Sequence, residues 1–176
     1  MTHPDCHVRR YRDRLYLTPK LAELSGTREG EFDDTPGTAF RWNGEAELAF
    51  PAYGGVLYFD AVDDGPNGAA DANPDAHPGA NPVAGPALGL DADWLREQPL
   101  VIEFRKGGER LKPADNRPTR ALKYHYQALD IPAWERARLP VVSTGKQLLF
   151  AAGIGMDCHH LRQDGAKRLK LRWEAK

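Results

Sequence analysis

The sequence predicts an α+β protein. A small antiparallel sheet packs with two short helices in the order β-β-α-α-β-β-β over residues 91–176. A strand-rich segment at 1–62 and a flexible loop at 63–90 precede it. Three observations carry this reading. Short apolar runs with period-two alternation recur along the chain, which is the pattern of half-buried strands. Helical spacing occurs mainly between Thr119 and Arg138, flanked by strand-like runs on both sides. Between the two halves lies DDGPNGAADANPDAHPGANPVAGPALG, which holds 5 of the 14 prolines and one residue each of Val and Leu.

In the first segment, Val8 to Leu17 ends in alternation, with Tyr11, Leu15 and Leu17 placeable on one face. A short helix is expected near Leu21, and Asp33 to Gly37 is a turn signal. Phe40 to Trp42, Glu47 to Phe50 and Val56 to Ala61 read as strands, separated by Asn43-Gly44, Pro51 and Gly54-Gly55. The 63–89 stretch cannot bury enough apolar surface to offset its ordering entropy, so it reads as a spacer.

In the last segment, Leu100 to Arg105 is a strand, Lys106 to Gly108 a turn, and Glu109 to Lys112 the returning strand of a hairpin. Thr119 is the expected N-cap of a helix running to about Leu129, with Ala121, Leu122, His125, Ala128 and Leu129 on its apolar side. Pro132 opens a second, short helix. Leu139 to Val142 and Gln147 to Met156 form a second hairpin. LLFAAGIGM is apolar on both faces, as a central strand is, and Gly153 and Gly155 allow close backbone approach. Lys167 to Glu174 alternates, with Leu169, Leu171 and Trp173 inward.

The chain has 176 residues with 24 Lys+Arg and 25 Asp+Glu. That near balance hides a segregation. Residues 1–100 carry 8 basic and 17 acidic side chains, and residues 101–176 carry 16 basic and 8 acidic. A basic half points to a polyanion partner, with a merely solvated basic surface as the plain alternative. No apolar run approaches the ~20 residues of a membrane span, and the first ten residues lack the apolar core of a signal peptide. Two cysteines, Cys6 and Cys158, make no disulfide framework. A cytoplasmic setting without membrane contact is expected.

The basic residues cluster. Arg105, Lys106, Arg110 and Lys112 crowd the first hairpin around Gly107-Gly108. Arg117, Arg120 and Lys123 sit at the entry of the longer helix, and Arg136 and Arg138 lie on the shorter one. Arginine's planar fork suits bidentate phosphate contacts, and a helix start near Thr119 would add backbone donors. Tyr124 and Tyr126 read as packed aromatics, with base stacking as the alternative. No catalytic residue stands out. GxxxxGK[ST], GxGxxG and GxSxG motifs do not occur. Asp157, Cys158, His159 and His160 are the best metal or nucleophile candidates, yet they lack CxxC or HExxH spacing. Adjacent His159 and His160 would face opposite sides of a strand, so no metal is assigned.

At this point FRKGGERLKP (Phe104 to Pro113), RPTRALKYHYQALDIPAWERARLPVV (Arg117 to Val142) and LLFAAGIGM together resemble the C-terminal domain of bacterial tRNA(Ile)-lysidine synthetases. RRYRDRLYL (Arg9 to Leu17) and FRWNGEAELAFPAYGGVLYF are similar to the segments that precede it. The resemblance implies a tRNA-binding part of an enzyme that uses ATP to attach lysine to the wobble cytidine of tRNA(Ile). In that family the chemistry belongs to an N-terminal domain with an SGGxDS loop, a motif not found in this sequence. ATP and Mg2+ are then implied for that catalytic domain, and this chain is expected to be a non-catalytic fragment. The implied partners are tRNA(Ile), gripped near its acceptor stem, and the catalytic domain. The turn and helices carry over as Gly107, Gly108, Arg110, Arg120, Lys123, Trp134, Arg136 and Arg138. The chain departs from the family at Lys123-Tyr124, where two lysines are common, and at His125-Tyr126, where Leu-Phe is common. The alternative is a protein-interaction module whose acidic and basic halves pair, within a chain or as a homodimer.

Overall fold

A computed structural model describes residues 6–11, 14–19, 36–62, 88–163 and 167–176. The chain divides into two compact units, Met1–Asp33 and Asp34–Lys176. The first contains a hairpin of β1 (Cys6–Tyr11) and β2 (Arg14–Pro19), with Val8 opposite Leu17 and Arg10 opposite Leu15. The helix expected near Leu21, most of the Asp33–Gly37 turn and nearly all of the 63–90 loop lie outside the described residues.

The second unit is built on two antiparallel sheets. The strands are β3 (Thr38–Phe40), β4 (Glu47–Phe50), β5 (Gly55–Val62), β6 (Leu90–Asp91), β7 (Leu100–Phe104), β8 (Arg110–Leu111), β9 (Arg120–Ala121), β10 (Pro140–Thr144), β11 (Gln147–Ala151), β12 (Gly155–Met156) and β13 (Arg168–Ala175). The helices are α1 (Ala92–Glu97), α2 (Leu122–Ala128) and α3 (Ala133–Arg136). One sheet runs β12-β11-β10-β7-β3 and the other β4-β5-β13-β6, while β8 and β9 pair on their own. Mostly antiparallel strands with a few short helices are the expected α+β class. No helix of the described residues is long and apolar enough to cross a membrane.

The division drawn at residue 62 cuts through both sheets. Strand β3 pairs with β7, and β5 pairs with β13 along its whole length, from Gly55 opposite Ala175 to Val62 opposite Arg168. Residues 36–62 are therefore part of the same body as 88–176. Long-range pairing of this kind leaves no mark on local composition.

The two sheets share one core. Leu57, Phe59, Leu169 and Leu171 come from one sheet, and Leu100, Ile102, Val142 and Phe150 from the other. Alternation places these residues on inner faces. Leu149 and Phe150 both enter this core because a bulge between Val142 and Ser143 leaves Leu149 as the extra residue. The Tyr53 hydroxyl donates to the Ile102 carbonyl at 2.8 Å and accepts the Thr38 N–H at 3.1 Å, which pins β3 against β7. Trp42 lies beyond β3, not within it. Its indole N–H donates to the Glu45 carbonyl at 2.7 Å and its ring stacks on Phe59. Asp91 caps α1 by accepting the Trp94 N–H at 2.8 Å.

Strand β13 alternates as expected at Leu169 and Leu171, but Arg168 is buried too. Its guanidinium donates to the Gln163 carbonyl at 2.8 Å, so a carbonyl satisfies part of the charge. Gly55 faces the end of this strand. A Cβ there would overlap the Glu174 carbonyl oxygen and the Trp173 ring. Gly55→Ala is expected to cost about 1–3 kcal/mol through overpacking, read as a fall in the urea midpoint. An unchanged midpoint would show that the β5–β13 ladder is looser than drawn.

Candidate nucleic-acid interface

The outer face of the five-stranded sheet carries α2. Leu111, Leu122, Tyr126, Val141 and Ala151 form a second, smaller core there. The helix α2 starts at Leu122, with Ala121 as its cap residue and no side-chain cap bond. This corrects the expected start at Thr119. Residues 120–121 are instead extended, held in a ladder with Arg110 opposite Ala121 and Leu111 opposite Arg120. The Leu122 N–H is taken by the Glu109 carbonyl at 3.0 Å, and His125 Nε2 lies 3.0 Å from the Leu111 carbonyl. The buried face is Leu122 and Tyr126, spaced by four; Ala128 and Leu129 are exposed.

The expected hairpin between β7 and Glu109–Lys112 does not form, because β7 pairs with β10 and β3. The intervening turn closes on itself. Gly107 and Gly108 have φ of 93° and 88°, which glycine adopts without strain. The Glu109 carboxylate accepts the Lys106 N–H at 2.5 Å and the Gly107 N–H at 2.9 Å. Lys106 Nζ pairs with Glu103 at 2.7 Å. The amides of Lys106 and Gly107 thus have a carboxylate of their own, and Lys106 is partly neutralised.

The structure brings Arg110, Arg120 and Tyr124 together. With Thr119 and Ala121 they line a surface cleft of about 300 Å3. Arg110 Nη2 donates to the Thr119 carbonyl at 3.2 Å, which bridges the chain entering β9. Arg117, Arg120 and Lys123 are exposed. Among the described residues, Arg110, Arg117, Arg120, Lys123 and Arg138 form no ion pair with a carboxylate. Arg105 is half-buried, its guanidinium 5.7 Å from the Tyr126 ring centre. Lys112 is half-buried, and its N–H donates to Asp157 at 2.9 Å.

Two assignments change. Arg136 is only 7% exposed, and its Nε donates to the Ile131 carbonyl at 2.5 Å. It closes the α2–α3 connection from inside the fold, away from the exposed cations. The two tyrosines separate. Tyr126 is fully buried and donates to the Ala152 carbonyl at 2.9 Å, whereas Tyr124 is 60% exposed. Burial raises the Tyr126 phenol above its ordinary value, so it remains a donor at any ordinary pH. The signal for Tyr124 was its place two residues before Tyr126. On a helix that offset turns it away from the face Tyr126 buries.

Asp157, Cys158 and His159 hold their ligand atoms within 4.8 Å of one another. Their geometry is that of a knot between loops. Buried Asp157 accepts the Lys112 N–H and the His159 N–H, each at 2.9 Å, and pairs with His159 Nδ1 at 2.5 Å. Cys158 Sγ donates to Asp115 at 3.7 Å. Burial pushes the thiol pKa up and the Asp115 charge adds to this, opposite to what a nucleophile needs. Residues 158–160 form a 3-10 turn, not a strand.

His160 stacks on Trp94 with ring centres 5.4 Å apart. Burial lowers its pKa below the ordinary 6.5, helped by His159 and Arg162 and opposed by Asp157. Because folding lowers this pKa, protonation favours the unfolded chain. The stability it contributes is complete above pH 6.5 and is lost as pH falls from there through the folded value. His160→Phe, which keeps the stack, is expected to flatten the fall in urea midpoint over that window. Equal pH profiles for both proteins would remove His160 as its source.

Residues 100–173 match the model of the TilS substrate C-terminal domain family. A tRNA(Ile)-lysidine synthase of Ralstonia nicotianae is 34% identical over 158 residues, covering 88% of this chain and 28% of the relative. One of Nitrosomonas europaea is 30% identical over 132 residues, covering 75% and 24%. A solved TilS C-terminal domain superposes with a TM-score of 0.53 at 22% identity, covering 80% of this chain and 98% of that one. That likeness is one of fold. The chain spans about a quarter of the length of the curated relatives it matches. By the family model, residues 100–173, from β7 into β13, belong to the TilS substrate C-terminal domain family, and the likeness to these synthases runs along most of the chain.

Proposed function

We propose that this chain is the tRNA-gripping part of a tRNA(Ile)-lysidine synthase. In this reading it holds tRNA(Ile) through the acceptor-stem region while a separate catalytic domain joins lysine to the wobble cytidine. The observation that carries the proposal is the set of exposed cations around α2 and the β8–β9 ladder, Arg110, Arg117, Arg120 and Lys123, with no carboxylate paired to them among the described residues. A-form RNA hides its major-groove edges, so a surface of this kind reads backbone and shape. ATP and Mg2+ serve the catalytic domain.

The test is titration with tRNA(Ile) at rising salt. Neutralising about four phosphates gives a log K against log salt slope of about −3 to −4. Binding that ignores salt, or no binding, overturns the proposal.

A further inference from the structure

We propose that the cleft lined by Arg110, Arg120 and Tyr124 takes one unpaired nucleotide of the bound RNA, its base stacked on the Tyr124 ring and its flanking phosphates held by the two arginines. This rests on the RNA-binding reading above and adds a ligand class to it.

Four observations converge. Tyr124 is 60% exposed, although the same helix buries Leu122 and Tyr126 completely, so the ring contributes little to the core. It sits in a cleft of about 300 Å3, at the small end of ligand sites. That is room for one planar group and not for a duplex. The cleft wall is largely apolar, and Arg110 and Arg120 line it together with Tyr124 and Ala121. Neither arginine forms an ion pair with a carboxylate among the described residues. An exposed ring beside phosphate-binding cations is the arrangement that holds single-stranded RNA, because every base has a π-face. A base inside an A-form helix has both faces covered by its neighbours and cannot lie on the ring. The ligand is therefore an unpaired nucleotide, at an end, a bulge or a loop.

The experiment uses the whole chain with two probes: a short single-stranded RNA carrying 2-aminopurine, and a blunt RNA duplex. Tyr124→Ala is expected to weaken single-strand binding about tenfold, while Tyr124→Phe, which keeps the ring, stays within about twofold. Duplex affinity and the salt slope are unchanged in both. Stacking quenches 2-aminopurine fluorescence with the native chain and with Tyr124→Phe, and the quench is lost with Tyr124→Ala. If Tyr124→Ala binds the single strand like the native chain, or loses duplex affinity equally, the stacking role is overturned. Should charge reversal at Arg110 and Arg120 still weaken tRNA binding in that case, the RNA-binding reading survives alone. If the native chain binds no RNA, both fall.

Discussion

Arg110→Glu with Arg120→Glu is expected to weaken tRNA(Ile) binding about 100-fold at low salt and to flatten the salt slope by about two. Both side chains are exposed and line the α2 cleft from the two-residue β8–β9 ladder. Each contributes a charge where the RNA backbone would lie, and reversal replaces attraction with repulsion. The fold should barely respond. The one bond lost is from Arg110 to the Thr119 carbonyl, at the surface, and exposed substitutions of this kind cost about 0.5 kcal/mol or less. Arg136 provides the contrast. Its Nε reaches the Ile131 carbonyl from a buried position, so Arg136→Ala should lower the urea midpoint while leaving the salt slope alone. Native affinity in the double variant would move the RNA surface elsewhere. A slope change in Arg136→Ala would return that residue to it.

Tyr126→Ala is expected to destabilise the Asp34–Lys176 unit by about 3–5 kcal/mol, a large part of the stability of an ordinary domain. The ring is fully buried with Leu111, Leu122, Val141 and Ala151, and it is the largest side chain of that cluster. It supports Arg105 on one side and lies near Gly153, where an added Cβ would come within 3.6 Å of it. Removing it opens a cavity and leaves the Ala152 carbonyl without the phenol donor. Tyr126→Phe separates the two losses, since it keeps the packing and should cost about 1–2 kcal/mol. Urea unfolding measures both. A Tyr126→Ala loss below that of Tyr126→Phe would mean that α2 does not depend on this ring.

Periodicity and turn chemistry made much of the second unit legible. Residues 148–151 of LLFAAGIGM lie in β11 between β10 and β12, and Leu169 and Leu171 point into the core, because a strand's two-residue repeat is written in consecutive side chains. The single strand expected to run on to Met156 instead turns at 152–154 and returns as β12. Pro132 before α3 is equally local. The pairing of β7 was not legible. Lys106-Gly107-Gly108 reads as a hairpin turn, but Glu109 folds back onto its amides while β3 and β10 occupy both edges of β7. The start of α2 was missed for a related reason. Residues 120–121 have a ladder partner in β8, and a long-range bond outweighed a favourable cap at Thr119.

The sequence alone determined the fold class, the family and the concentration of cations in the last 76 residues. Composition, alternation and motif spacing are properties of the chain, present before it folds. The tertiary structure decided which cations are available. Arg110 and Arg120 emerge beside an exposed Tyr124, Lys106 is paired with Glu103, and Arg136 is spent inside the fold. Each outcome depends on which surface the sheets and α2 cover, and burial is set by neighbours far away in the sequence.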